Sequence, residues 1–219
     1  MGHTYKDFVV LGLGRFGKSV AQTLAEKGYE VLAVDKNEEA IQEISEHVTH
    51  AVQADATDME TLNALGIRNF DVAVVAIGTN MQSSIMTALL VKELGVKYVL
   101  AKAQNDIHKR VLEKIGVDRV VFPERDMGVR IANNLVSKNI VDFIELSSEY
   151  SLVEAETLPE WAGKSLKELN MRAKYGVNVM AIRHDDEINI SPDANVILHE
   201  NDILVVIGSN EDLSKLELI

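Results

Sequence analysis

The chain has 219 residues, of which 47% are hydrophobic, with a net charge of −12 and no cysteine. That composition excludes disorder, disulfides, thiolate catalysis and cysteine–zinc sites. No basic stripe offers a surface for nucleic acid, and no apolar run is long enough to cross a bilayer. With no signal-peptide pattern at the N-terminus, a soluble cytoplasmic protein is expected. Residues 1–140 carry 16 Lys/Arg against 18 Asp/Glu, whereas residues 141–219 carry 6 against 16. The acidic C-terminal part is read as a solubility device that also disfavours anionic membranes.

In chain order, β-branched runs at 8–11, 30–34, 49–53, 71–77, 97–101 and 118–122 predict buried parallel strands. Amphipathic segments at 16–27, 38–46, 58–65, 81–94 and 105–115 predict the helices between them. Gly28, Gly66, Gly95 and Gly116 fall where helix C-caps belong. The alternation predicts an α/β fold, a Rossmann-like doubly wound parallel sheet with its ligand crevice at the carboxyl ends of the strands. After Pro123 one more helix is expected over 124–138. Its Met127, Ile131 and Leu135 share a face that serves either a subunit or domain interface or packing on its own sheet. Short strands then dominate: 140–146, 151–156, 177–182, 187–190 and 203–208, with helices near 164–170 and 210–217 and a hairpin turn at Asp185-Asp186. The expected division is a nucleotide-binding domain with its crossover helix at 1–138 and a small α+β module at 139–219, near the lower size limit for standing alone.

The first strand leads into Gly12-Leu13-Gly14-Arg15-Phe16-Gly17 and then a helix. Three glycines in that context cradle a phosphate: one for the tight turn, one for close backbone approach, one for helix–strand packing. The helix start supplies free N–H donors. The second strand ends in Asp35, about 20 residues on, where an acid binds ribose hydroxyls and repels a 2′-phosphate. Lys36 adjoins it. Asp35 could instead cap the next helix, but Asn37 is available for that. Arg15 reads either as a bidentate contact to a terminal phosphate, as in ADP or ATP, or as an exposed arginine placed against the helix dipole.

Small residues after the third and fourth strands leave room for an adenine ring. Asp55, Ala56 and Thr57 follow one strand, Ile77 and Gly78 the other. Asp55 could accept from the adenine amine, or Asp55 and Thr57 could cap the 58–65 helix. Lys102 is a plausible phosphate contact at the same edge. Glu124 reads as a cap, a partner for Arg125, or a ligand for a hard cation at the phosphates. The six histidines show no metal spacing and none sits in a nucleophile motif. No acid–base pair suits a dehydrogenase, so no catalytic residue is assigned.

Taken together, Gly12–Gly17, the acid at 35, Ala54-Asp55-Ala56-Thr57, Lys102-Ala103-Gln104-Asn105 and Pro123–Gly128 resemble an RCK (KTN) domain. Leu169–Gly176 and Ile190-Ser191-Pro192 resemble a TrkA-C module. Nearly the whole chain is covered, and it is similar to the cytosolic regulatory subunits of bacterial Ktr potassium transporters. The resemblance implies an octameric ring of four dimers, placed on the inner face of the cell membrane by a membrane-embedded potassium-translocating partner. It implies activation by ATP and inactivation by ADP, with Arg15 reading the terminal phosphate and Glu124 holding a cation such as Mg²⁺ at the dimer interface. In the C-terminal module it implies cyclic di-AMP binding through Arg172 and Asn178, with Leu166, Met171, Tyr175, Val177 and Pro192 as the apolar wall. Arg172 could also be an ordinary surface arginine.

Coupling of about 1–3 kcal/mol per site falls short of the roughly 5.5 kcal/mol that throws a two-state gate almost completely, so several sites in a ring are needed. The competing expectations are an NAD-dependent oxidoreductase and an NAD-sensing protein that binds DNA. The second lacks its basic helix-turn-helix.

Overall fold

The computed structural model describes residues 5–136 and 140–216. They fall into two compact units, divided after Pro123. Of the helix that begins at Pro123, residues 124–136 fall in the second unit.

The first unit is a six-stranded, all-parallel sheet. Its strands are β1 (Asp7–Leu11), β2 (Glu30–Asp35), β3 (His50–Gln53), β4 (Val72–Val75), β5 (Tyr98–Lys102) and β6 (Arg119–Val121). The spatial order β3-β2-β1-β4-β5-β6 reverses direction between β1 and β4, the switch point at which such sheets bind ligands. β1 pairs in register with β2 on one side and β4 on the other, Val9 facing both Leu32 and Ala73.

Both faces of the sheet are covered, which is why its strands lack polar alternation. Val9, Leu11, Val34 and Val75 pack on one side with Leu62, Val91 and Leu112. Those three come from α3 (Met59–Ala64), α4 (Met81–Glu93) and α5 (Asp106–Ile115). Phe8, Val10, Val31 and Ala33 pack on the other side with Ala21 and Ile44, from α1 (Arg15–Glu26) and α2 (Glu38–Ile44). The four glycines expected to end helices all take left-handed backbone. β4 is shorter than the expected 71–77, because the chain leaves the sheet after Val75 to line the crevice.

α6 (Pro123–Val136) matches the expected helix up to the end of the described residues; Ser137 and Lys138 lie outside them. Met127, Val129 and Ile131 are half exposed, and Leu135 is 80% exposed. The expected apolar face is therefore not consumed by packing within its own unit. Arg130 forms a two-pronged ion pair with Asp142, its Nε donating over 2.8 Å.

Beyond α6 lies an antiparallel sheet in the order β10-β9-β11-β8-β7. It comprises β7 (Ile140–Glu145), β8 (Tyr150–Glu156), β9 (Asn178–His184), β10 (Glu187–Asn189) and β11 (Ile203–Ser209). β9 and β10 are joined by the expected two-residue turn, with Asp185 at φ 50°. Val153, Ala155, Leu204 and Val206 alternate onto the covered face and pack with Trp161, Leu169, Met171 and Leu213.

The helix expected over 164–170 is instead two short ones, α7 (Leu166–Leu169) and α8 (Met171–Tyr175). Asn170, at φ 47°, breaks them apart, a conformation Asn tolerates better than most side chains. Ser165 and Glu168 form a capping box that starts α7. α9 (Asn210–Lys215) closes the described chain.

Candidate functional site at the strand ends

The parallel sheet brings the ends of β1, β2, β3, β4 and β5 to one edge, and most of the sequence-derived nucleotide residues lie there. Gly12 follows β1 with φ 100°, donating its N–H to Val34 O at 2.8 Å. Ala76, after β4, donates to Leu11 O at 2.8 Å, so the two loops flanking the switch point are tied to the sheet.

The three glycines have three different reasons. A Cβ on Gly12 would lie 2.8 Å from the Ile77 nitrogen. A Cβ on Gly17 would collide with the Gly12 carbonyl oxygen, so α1 packs directly against the turn. A Cβ on Gly14 would meet nothing within 4 Å. The first and third are demanded by the protein's own packing. The second faces open space, where a ligand's phosphates would approach the backbone.

α1 begins at that exposed glycine. Gly14 is its N-cap and makes no side-chain cap bond, and the first turn carries no acid. α2, α3, α4 and α5 each have a side-chain cap, from Asn37, Asp58, Asn80 and Asn105. The donors at the start of α1 are thus left for an anion, with the helix dipole favouring negative charge. Arg15 is exposed beside them, Phe16 is half-buried and Leu13 is buried.

Asp35 does not cap α2; Asn37 does, accepting from Ala40 N–H at 3.2 Å. The Asp35 carboxylate instead accepts from the Leu13 N–H at 2.6 Å and from the Asn37 N–H at 2.9 Å. The acid at the end of β2 is therefore fastened to the glycine loop after β1. A carboxylate has about four acceptor sites, so lone pairs remain for ribose hydroxyls. Lys36 is exposed next to it.

Asp55 is not the cap of α3; Asp58 is, accepting from Thr61 N–H at 2.9 Å. Asp55 accepts from the Thr57 hydroxyl at 2.7 Å and the Thr57 N–H at 2.8 Å. Those bonds hold its carboxyl below the usual range. Ala56 is buried, its carbonyl accepting from Thr87 Oγ1 at 3.0 Å. Ile77 and Gly78 are half-buried after β4. Lys102 ends β5 with its amine beside Gly78, Nζ lying 3.2 Å from where a Gly78 Cβ would stand.

Gln104 belongs with this group although the candidate set omitted it. Its side-chain amide donates to the Gly78 carbonyl, joining the rims after β4 and β5. Its backbone N–H donates to His108 Nδ1 at 3.3 Å. His108 is fully buried, and burial depresses its pKa. The neutral ring therefore keeps its proton on Nε2, which has no hydrogen-bond partner among the described residues. Gln104 follows β5 in the same Lys-Ala-Gln-Asn run as Lys102, and that adjacency was the available signal.

Glu124 is exposed in the first turn of α6, in the second unit. Among the described residues no group of three or more His, Asp or Glu gathers as a metal site would require. No helix among them is long and apolar enough to cross a membrane.

In the second unit the effector candidates divide by burial. Met171 and Val177 lie in its core, with Leu166 and Tyr175 packed against them. Arg172 and Asn178 are exposed and Pro192 is half-buried. The loop after Pro192 runs beside α7, Ala194 and Val196 accepting from the Lys167 and Leu166 N–H groups at 2.7 and 3.1 Å.

Residues 8–123 match the TrkA-N domain, and residues 152–219 match the TrkA-C domain. The chain is 51% identical to Ktr system potassium uptake protein C of Bacillus subtilis, covering 97% of this chain and 96% of that one. It is 37% identical to Ktr system potassium uptake protein A of Vibrio alginolyticus, covering 95% of each. The GsuK RCK domain crystal structure has the same fold, with a TM-score of 0.70 at 19% identity, over 100% of this chain and 48% of that one. With a TrkA-N domain over more than half its length and this identity end to end, the chain belongs to the TrkA-N/TrkA-C family of Ktr potassium uptake proteins, which are not enzymes.

Proposed function

We propose that this chain is the cytosolic, nucleotide-gated regulatory subunit of a Ktr-type potassium transporter. ATP and ADP bind at the strand ends of the first unit. The observation that carries the reading is the bond from the Leu13 N–H to the Asp35 carboxylate beside an uncapped helix start. In this reading it joins the acid that accepts from ribose to the loop whose N–H groups hold the phosphates.

In this reading Gly12–Gly17 hold the phosphates, Asp35 and Lys36 the ribose, and Asp55–Thr57 with Ile77 and Gly78 border the adenine. Lys102 contacts phosphate. Arg15 touches the terminal phosphate, so ATP and ADP favour different arrangements of the ring. Glu124 helps hold a cation such as Mg²⁺ where two subunits meet. The half-exposed face of α6 supports a dimer seam, and four such dimers form the ring. The functional division is residues 1–138 for nucleotide and 139–219 for effector. Cyclic di-AMP binds between two C-terminal modules through Arg172 and Asn178, over a wall built from Leu166, Met171, Tyr175, Val177 and Pro192, and inhibits uptake. The subunit sits at the inner face of the membrane through its potassium-translocating partner. It has no role on nucleic acid.

A thermal-shift comparison of ATP, ADP, NADH and cyclic di-AMP tests this, since tight ligands raise the melting point by mass action. Stabilisation by both adenosine phosphates and by cyclic di-AMP is expected. Stabilisation by NADH alone would overturn the reading.

A further inference from the structure

One buried carboxylate in the second unit has no part in the functions above. Asp202 lies just ahead of β11 with its side chain only 2% exposed. A charge in such a place is costly unless it is paired and hydrogen-bonded. Asp202 is served from several directions. Oδ1 is 2.6 Å from His184 Nδ1, and Oδ2 accepts from the His199 N–H at 2.8 Å. Its carbonyl accepts from the Thr157 N–H at 2.8 Å and the Thr157 hydroxyl at 3.0 Å. Three segments therefore converge on it: the end of β9, the turn before β11 and the stretch after β8.

The position follows from sheet register. β11 and β9 are antiparallel with Ile203 opposite Arg183. One step beyond, Asp202 faces His184, a cross-strand pair at the open end of the ladder. His184 is 58% exposed, so protons reach it freely while its partner stays dry.

We propose that His184 and Asp202 form an acid-tightened clasp that fastens the β9–β10 hairpin to the turn ahead of β11.

The surroundings of the imidazole favour its cation. Asp185 follows it, with a carboxylate oxygen 3.9 Å from Nε2. Glu187 lies opposite it across the hairpin, and Asp186 occupies the turn. Arg183 is directed to Glu154 at 3.9 Å rather than to this site. Glu156 stands opposite Ile203, and Glu200 lies in the turn that carries His199. The opposing group is His199, whose ring centroid is 5.0 Å away. The Asp202 bond raises His184 above the ordinary imidazole value of 6.5, with Asp202, Asp185 and Glu187 adding to it. A raised value means that the clasp contributes fully below the unfolded-state value. It weakens as pH rises through the folded-state one.

The test uses the full-length protein. Histidine resonances are followed by NMR from pH 5 to 9, with His184→Gln assigning the signal. Melting is recorded over the same range for the wild type, His184→Gln and His199→Gln. His184 is expected to titrate above the ordinary imidazole value. The wild type is expected to melt higher than His184→Gln at acid pH, with the two profiles converging as pH rises. His199→Gln should keep the wild-type trend. Asp202→Asn should return the His184 titration to the ordinary range, and that NMR readout stands whether or not stability falls. Parallel melting profiles for wild type and His184→Gln, or an unshifted His184, would overturn the clasp. Neither result depends on which nucleotide the first unit binds.

Discussion

Two alanine substitutions in one glycine loop are expected to fail in opposite ways. A Cβ at Gly17 strikes the Gly12 carbonyl oxygen, a backbone atom that cannot swing aside. Overpacking of that kind costs about 1–3 kcal/mol. At about 2–4 °C per kcal/mol for a chain this long, Gly17→Ala should melt several degrees lower with or without ligand. Gly14 is different, because its Cβ enters open space and its φ of −66° with ψ of −179° is available to alanine. Alanine is a poorer N-cap than glycine, by roughly 0.5–1 kcal/mol. It also restricts the unfolded chain, a gain of about 0.4–1 kcal/mol. The two effects nearly cancel, so Gly14→Ala should match wild-type stability. Under the proposed reading, the new methyl nevertheless occupies the path by which a phosphate reaches the helix-start N–H groups. Hydrogen bonds to a charged group contribute about 1.5–3 kcal/mol each, so losing one or two weakens ADP by roughly tenfold to about twenty-thousand-fold. Isothermal titration with ADP, alongside melting without ligand, separates the two outcomes. Wild-type ADP affinity in Gly14→Ala, or wild-type stability in Gly17→Ala, would refute the account of the loop.

Further expectations concern single side chains. Arg15→Ala should weaken ATP more than ADP if the guanidinium serves the last phosphate, as proposed; equal losses by titration would reject that role. Arg172→Ala should abolish cyclic di-AMP binding and leave ATP binding unchanged, and a matching loss of ATP affinity would show that the two units are not separate in function. His108 is buried with its pKa depressed, so the folded protein favours its neutral form. Its contribution is therefore full above the unfolded-state value near 6.5 and is lost as pH falls below it, the reverse of His184. Between pH 7 and 5 the wild type should lose more stability than His108→Gln in denaturant titrations, and parallel loss would remove His108 as the cause.

The parallel sheet was readable because its strands are buried on both faces and stand out as apolar runs between capped helices. Asn37 as the cap of α2 was readable too, since Asn just before a helix is a favoured side-chain acceptor for its first N–H groups. Other features depend on approach in space. Asp35 bonds Leu13, 22 residues away, only because β1 and β2 pair in register. The break at Asn170 comes from a left-handed residue that local propensity would leave in a helix. His184 and Asp202 are 18 residues apart and meet through strand pairing, so no spacing rule reveals them. Gln104 is separated from Gly78 by a whole helix and strand, and only the folded rim shows that it spans the gap.

The carboxylate of Asp35 is held against the loop by the chain's own N–H groups. Under the proposed reading, sugar and base therefore meet the same prepared surface whatever tail they bring, and that shared part contributes equally to every adenine nucleotide. Selection falls to the far end, where one phosphoryl group more or less is all that differs. Where that shared part supplies most of the affinity, such a protein answers to the proportion of its two occupants and takes little notice of how abundant both are together.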